Sequence, residues 1–337
     1  MHNLLDPALL VFIFGALAGA VKSNLEIPQP ISRFLALYLL MALGLKGGFA
    51  LAHSGFTAQV ATSLGCAVLL ALAVPLLGYS LLRRVLSGFD AAAVAATYGS
   101  VSAVTFVTAV QTLENQQVVF GGYMSAAMAL MESPAIILAI VFANALRQHP
   151  ASAMAATSSG ASVLALPSSP QRAGVTFGKI LHESFTDGAQ LLLLGAMLIG
   201  ILSGDAGKAA MQPFSGDLFK GMLAFFLLDM GLLTARSLPQ VRGKSPWLLA
   251  YAVLGPLTHA SLALGLSALL KVPTGDAILL MVLAASASYI AVPAVMRYAV
   301  PEANPSLYFG LSLGITFPLN ILFGIPLYSY VAKLVLG

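Results

Sequence analysis

Apolar runs separated by short polar stretches recur along the whole chain. They fall near residues 8–25, 31–51, 57–82, 91–112 and 119–146, and again near 188–203, 217–236, 246–270, 277–298 and 306–333. A helix rises 1.5 Å per residue, so roughly 20 apolar residues cross about 30 Å of hydrocarbon. The pattern predicts an all-α integral membrane protein of ten transmembrane helices. Between the fifth and sixth runs lies RQHPASAMAATSSGASVLALPSSPQRAGVTFGK, rich in Ala, Ser and Pro and poor in aromatics. It reads as a flexible linker. The expected organisation is a first five-helix repeat over 1–146, a linker over 147–185 and a second repeat over 186–337.

The two halves show internal similarity. A shift of 186 residues lays DAAAVAATYGSVSAVTFV, from Asp90, onto DAILLMVLAASASYIAVP, from Asp276, so that Ser100 meets Ser286 and Ser102 meets Ser288. Further on, at an offset of 184, MESPAIIL with Pro134 meets ITFPLNIL with Pro318. Each half has an odd number of spans, so the second copy enters the membrane upside down. This is the 5+5 inverted repeat of secondary transporters.

Composition agrees with the membrane reading: 59% of the 337 residues are hydrophobic and 8% are charged, with a mean hydropathy of +0.92. That balance excludes an ordinary soluble domain. The net charge of +4 is spread over 16 Lys and Arg near span ends, without a basic run, so it points to orientation in the lipid and not to nucleic acid. Lys22, Arg33, Arg83, Arg84, Arg147, Arg172, Lys179, Arg236, Arg242, Lys244 and Arg297 fall on one side, and Lys46, Lys208, Lys220, Lys271 and Lys333 on the other. The positive-inside rule then puts the linker in the cytoplasm and both termini outside. The segment from Met1 lacks a basic leader start and is read as a retained first span. The single Cys66 cannot form an intrachain disulfide, and the five histidines have no metal-ligand spacing. No cofactor or bound metal is expected.

The polar positions inside spans carry the candidate chemistry. Ser100 and Ser286 each lie ten residues beyond their matched aspartates, about 15 Å into the membrane. Span four there contains Gly99, Ser100, Ser102, Ala103 and Thr105, and span nine contains Ser286, Ser288, Tyr289 and Pro293. Gly99 loosens the first helix. Pro293 removes the hydrogen bond to residue 289 and is expected to free the Tyr289 carbonyl. Helices four and nine are therefore read as discontinuous. A half-helix N-terminus at mid-membrane suits a small anion, while hydroxyls and freed carbonyls suit Na+. The alternative for the serines is bonding to the preceding turn or close packing of small faces.

Glu132 in MESP is the main acid candidate for ion coupling. Its repeat partner is Thr316, with Asn320 one turn later, and both supply oxygen; Ser102 and Ser288 complete this cation set. Asp229 either pairs with Lys46 in the matching helix or plays a structural part. His259, alone among apolar residues, reads as a satisfied interior histidine. With Ser102 or Ser288 it would make an intramembrane serine hydrolase dyad, but neither serine has a nucleophile-elbow sequence. The chain is not expected to be an enzyme.

Four stretches resemble the cyanobacterial-type sodium-dependent bicarbonate transporters and their proteobacterial relatives. They are GSVSAVTFVTAVQTLE (99–114), MESPAIILAIVFAN (131–144), AASASYIAVPAVMR (284–297) and PEANPSLYFG (301–310), and the resemblance runs on to IPLY at 325–328. It implies a homotrimer in the bacterial inner membrane, with spans one, two, six and seven as a scaffold and the other six as a moving core. It also implies Na+-coupled bicarbonate uptake, and a cytoplasmic PII-like protein as a regulatory partner. Where the family resembles GAVSGST, Ser102 and Thr105 are kept. Where it resembles SSSDISGPP, the acid is replaced by Tyr289, and two hydroxyls by Ala287 and Ala291. A roomier, more apolar site of this kind leaves another small anion, such as a monocarboxylate, as the alternative substrate.

Overall fold

The computed structural model describes residues 6–55, 57–148, 188–241 and 243–337; the expected linker falls almost wholly outside them. The described residues form helices and connecting turns only. In the first half these are α1 (Pro7–Ala20), α2 (Gln29–Ser54), α3 (Ala58–Leu82), α4 (Gly88–Gly99), α5 (Ala103–Asn115) and α6 (Met124–Gln148). The second half has α7 (Gly188–Gln212), α8 (Phe219–Ser237), α9 (Pro246–Leu269), α10 (Thr274–Ala285), α11 (Ala291–Ala299) and α12 (Pro305–Leu336). Side-chain caps start several of them: Asp6 accepts from Ala8 N–H, Thr57 from Val60, Ser87 from Asp90 and Asn304 from Ser306. Each cap takes up one of the first-turn N–H groups that have no partner within the helix.

Seven of the helical stretches are long and apolar enough to cross a membrane, and α1 and α10 are shorter apolar helices. The difference from the expected ten has three local causes. Helices α7 and α8 join through a π turn at Pro213–Asp217 and count as one stretch. Helix α1 ends at Ala20. The expected ninth span is divided into α10 and α11.

Two close helix pairs, α1 with α8 and α2 with α7, build one layer, and α8 also packs on α2. Small residues make the approach possible. A Cβ added at Gly15 would lie 2.4 Å from the Leu228 carbonyl oxygen, and one at Gly231 would lie 2.2 Å from that of Phe12. On the other pair, Gly44 and Gly48 would meet the carbonyls of Leu193 and Met197 at 2.4 and 2.1 Å. These seams are the small-xxx-small packing that brings membrane helices into dispersion contact.

The remaining helices form a second group around α4 and α10. Every residue of α4 from Ala91 to Gly99, and of α10 from Gly275 to Ala285, is buried. A helix apolar on all sides belongs in an interior, and the alanines of α4 let α3, α6 and α11 approach it closely. Helix α12 is irregular, with π turns at Ser312–Thr316 and Asn320–Gly324. Pro318 and Pro326 each lack the N–H that would bond to the residue four before, which is the middle residue of each π turn.

Candidate functional site

Helices α4 and α10 stop in the interior and are followed, after short extended segments, by α5 and α11. The first break covers Ser100 to Ser102, the second Ser286 to Ile290. Ser100 (φ −91°, ψ 175°) and Ser286 (φ −77°, ψ 165°) are the C-caps and have the same extended conformation. The two breaks cross. Ser102 N–H donates to Ser286 Oγ at 2.9 Å, and Ser288 N–H donates to the Thr97 carbonyl at 2.8 Å. Ser286 Oγ in turn donates to the Leu283 carbonyl at 2.8 Å. Leu283 matches Thr97 at the offset of 186. One N–H thus reaches its carbonyl directly and the other does so through a hydroxyl.

The serines also cap the half-helices that leave the crossing. Ser102 is the N-cap of α5; its hydroxyl accepts from Thr105 N–H at 3.3 Å and from Thr105 Oγ1 at 3.0 Å. Ser288 Oγ accepts from Val292 N–H at 3.3 Å in the first turn of α11. Ser100 Oγ donates to the Glu132 carbonyl at 3.1 Å, which ties the half-buried Glu132 and α6 to the end of α4. Two helix N-termini, each with about half a positive charge, therefore converge with four serine hydroxyls. Ala103 is the first residue of α5.

The open carbonyls at the end of α10 have partners. Asn320 Nδ2 donates to the Ala285 carbonyl at 2.8 Å and Tyr328 OH donates to Asn320 Oδ1 at 2.9 Å. His259 hydrogen-bonds the Ala284 backbone. Its Nδ1 has no partner, so Ser102 and Ser288 do not have the imidazole contact of a hydrolase dyad. Thr316 Oγ1 donates to the Ala252 carbonyl at 2.8 Å, so in its 2.7 Å contact with Tyr98 the tyrosine is the donor. Thr316 and Asn320 are thereby joined to the C-terminal parts of α4 and α10, not directly to Glu132.

Tyr289 lies between the crossing and the paired layer. Its hydroxyl lies beside the Ser102 side chain and donates to Met230 Sδ of α8 at 3.5 Å. Its ring meets Phe317 edge-on, with centroids 5.2 Å apart. The aromatic ring thus covers the capped N-terminus of α5 on the side facing α8.

Gly99 is the last residue of α4, where the helix was expected to give way, and it has a packing role as well: a Cβ there would lie 2.5 Å from Pro75 Cβ, so the glycine lets α3 and α4 touch. Two expectations change. Pro293 is the third residue of α11, in a first turn where its missing N–H costs nothing, and the break lies before it. Lys46 and Asp229 do not pair: Lys46 Nζ is 3.0 Å from Glu114 Oε1, and Asp229 accepts from the Ser32 hydroxyl.

The matched aspartates, which mark the register of the repeat, are also cross-half ties. Asp276, fully buried, accepts from Ser63 Oγ at 3.0 Å, Gly121 N–H at 2.7 Å and the Tyr123 hydroxyl. Asp90 accepts from Asn304 N–H at 2.8 Å. Each therefore holds the loop that precedes the last helix of the other half. Their identical place in the repeat was the available signal.

Among the described residues no cluster of His, Cys, Asp and Glu is arranged to hold a metal ion. The family model of the Na+-dependent bicarbonate transporter superfamily matches residues 7–333. No curated protein matches the chain.

Proposed function

Because the chain belongs to the Na+-dependent bicarbonate transporter superfamily, we propose that it is a secondary active transporter that takes up bicarbonate with Na+ by alternating access. The observation that carries this reading is the crossing of two broken helices at Ser100–Ser102 and Ser286–Ser288. Broken backbone in hydrocarbon costs several kcal/mol per unmatched group and is tolerated where it lines a ligand site. The anion would use the N-termini of α5 and α11 with Ser102 and Ser288. Na+ would take oxygen from the same hydroxyls, with Glu132 as the nearby acid.

Ten spans in a 5+5 inverted repeat fit the packing. Under the repeat α1 corresponds to α7 and α2 to α8, so a two-fold axis exchanges the pairs α1 with α8 and α7 with α2, and both pairs are present. The paired layer would be the scaffold, and α3 to α6 with α9 to α12 the moving core. A homotrimer in the bacterial inner membrane, with both termini outside and a cytoplasmic PII-like regulator, completes the proposal.

The test is uptake of labelled bicarbonate into proteoliposomes, at a pH that suppresses CO2 leak, with and without a Na+ gradient. Uptake driven by the gradient is expected. Absence of uptake in both conditions, with uptake of another anion, would overturn the bicarbonate assignment. A specific observation supports a second reading: Tyr289, Phe317 and Met230 form an apolar wall beside Ser102, which suits a monocarboxylate. Competition of bicarbonate uptake by acetate distinguishes the two.

A further inference from the structure

Between the paired layer and the second helix group, beside the C-terminal ends of α2 and α5, a cleft of about 500 Å3 opens. Lys46 and His53 come from one stripe of α2, and Phe106 and Glu114 from one stripe of α5, with Lys208 of α7 and Lys220 of α8 nearer the rim. Phe106 lies four residues beyond the Ser102 cap, so the floor of the cleft is one turn from the crossing. Three ammonium groups meet two carboxylates, those of Glu114 and Asp217.

The cations here also hold α5 to the layer. Lys46 Nζ lies 3.0 and 3.2 Å from the two Glu114 oxygens and 4.3 Å from the centre of the Phe219 ring. Lys220 Nζ lies 3.3 Å from Asn115 Oδ1. The Lys46 and Glu114 side chains are 25% and 33% exposed. The pair reaches water at the cleft, so an incoming anion can compete with Glu114 for Lys46.

We propose that this cleft is a capture site for a small oxyanion, which takes Lys46 from Glu114 and so loosens α5 from α2 before the anion reaches the crossing. A planar oxyanion presents the same pair of oxygens to Lys46 as the Glu114 carboxylate does. Lys208 and Lys220 raise its local concentration. The identity of the anion as bicarbonate rests on the proposed function; the capture site does not.

Two measurements separate these claims. In the uptake assay, Lys46→Gln raises the bicarbonate KM about fivefold and Glu114→Gln lowers it about threefold, the size of effect expected for a partly exposed charge pair, while Lys46→Arg restores it. A purely structural pair would instead lose maximal rate in both Gln variants. For a readout without transport, Gln212→Cys places a thiol on the cleft in a chain whose own Cys66 is buried. A negatively charged thiosulfonate should modify it faster than a positively charged one of equal size, and bicarbonate should slow the reaction.

Lys208→Gln with Lys220→Gln, both at the rim, should abolish that preference; this pair carries the test if Lys46→Gln fails to fold. Protection without Na+-driven uptake would support the capture site and overturn the transport reading. Na+-driven uptake with an unchanged KM in Lys46→Gln or the rim pair, and no protection, would overturn the capture site alone.

Discussion

The near-symmetry of the crossing predicts unequal effects from two matched serines. Ser286→Ala removes the acceptor of Ser102 N–H and the hydroxyl donor to Leu283. Ser102 is 4% exposed, so its N–H is left without water. A buried unsatisfied donor costs about 1–3 kcal/mol, and a lost hydrogen bond a further 0.5–1.5 kcal/mol or so. The total is about 1.5–4.5 kcal/mol. Ser100→Ala removes one bond to the Glu132 carbonyl and leaves the Ser288 to Thr97 backbone bond intact. Its cost is about 0.5–1.5 kcal/mol. Thermal unfolding of the purified variants in detergent should place Ser286→Ala clearly below Ser100→Ala, and uptake should fall further in the former. Equal midpoints, or Ser100→Ala as the weaker protein, would refute the account of how the two halves are joined.

Tyr289→Asp, which supplies the acid that the resemblance leads one to expect, should increase the apparent Na+ affinity of uptake severalfold, and Tyr289→Phe should lower anion affinity by removing the hydroxyl at Ser102; Na+ and anion titrations of initial rate read both. Gly48→Ala forces a Cβ to within 2.1 Å of the Met197 carbonyl and should collapse the yield of folded protein, at a cost of about 1–3 kcal/mol. Gly65→Ala in α3, where nothing lies within 4 Å, should leave the midpoint unchanged or raise it by the ~0.5–1 kcal/mol of helix propensity. Asp276→Asn turns an amide N–H towards one of three donors and should destabilise by about 1–3 kcal/mol. Asp90→Asn, at a more exposed position, should cost less on the same melting scale.

The positions of the helices were legible because hydropathy reports burial in lipid directly. Where the chain breaks was legible too, since Ser100 and Ser286 stand at equal depth in matched segments. The cause of the breaks was legible only in part. Glycine and proline are the usual helix disruptors, and Gly99 does end α4 while packing on Pro75, but Pro293 sits in a first turn that has no use for its N–H. The break is stabilised instead by partners far away in sequence: Thr97 for Ser288, Ser286 for Ser102, and His259 and Asn320 for the end of α10. The partner of Lys46 was missed for the same reason. The repeat aligned its helix with α8, which carries Asp229, and the two do pack; but Asp229 meets α2 at Ser32, about four turns from Lys46, which lies beside Glu114 of α5.

If the crossing is the anion site proposed above, its charge arithmetic makes Tyr289 the residue on which the substrate turns. Two half-helix N-termini provide about one positive charge in sum, enough for a monovalent anion. A co-bound Na+ then needs a carboxylate or several neutral oxygens to avoid an uncompensated charge in low dielectric. With a tyrosine beside Ser102, the neutral oxygens must be those of Ser102, Ser288 and the tyrosine itself, and the nearest acid in α6 is Glu132, whose backbone the Ser100 hydroxyl already grips. Glu132→Gln should therefore weaken Na+ dependence more than anion affinity. If Na+ dependence is unchanged while anion affinity falls, the acid serves the anion site, and coupling must be sought in another part of the fold.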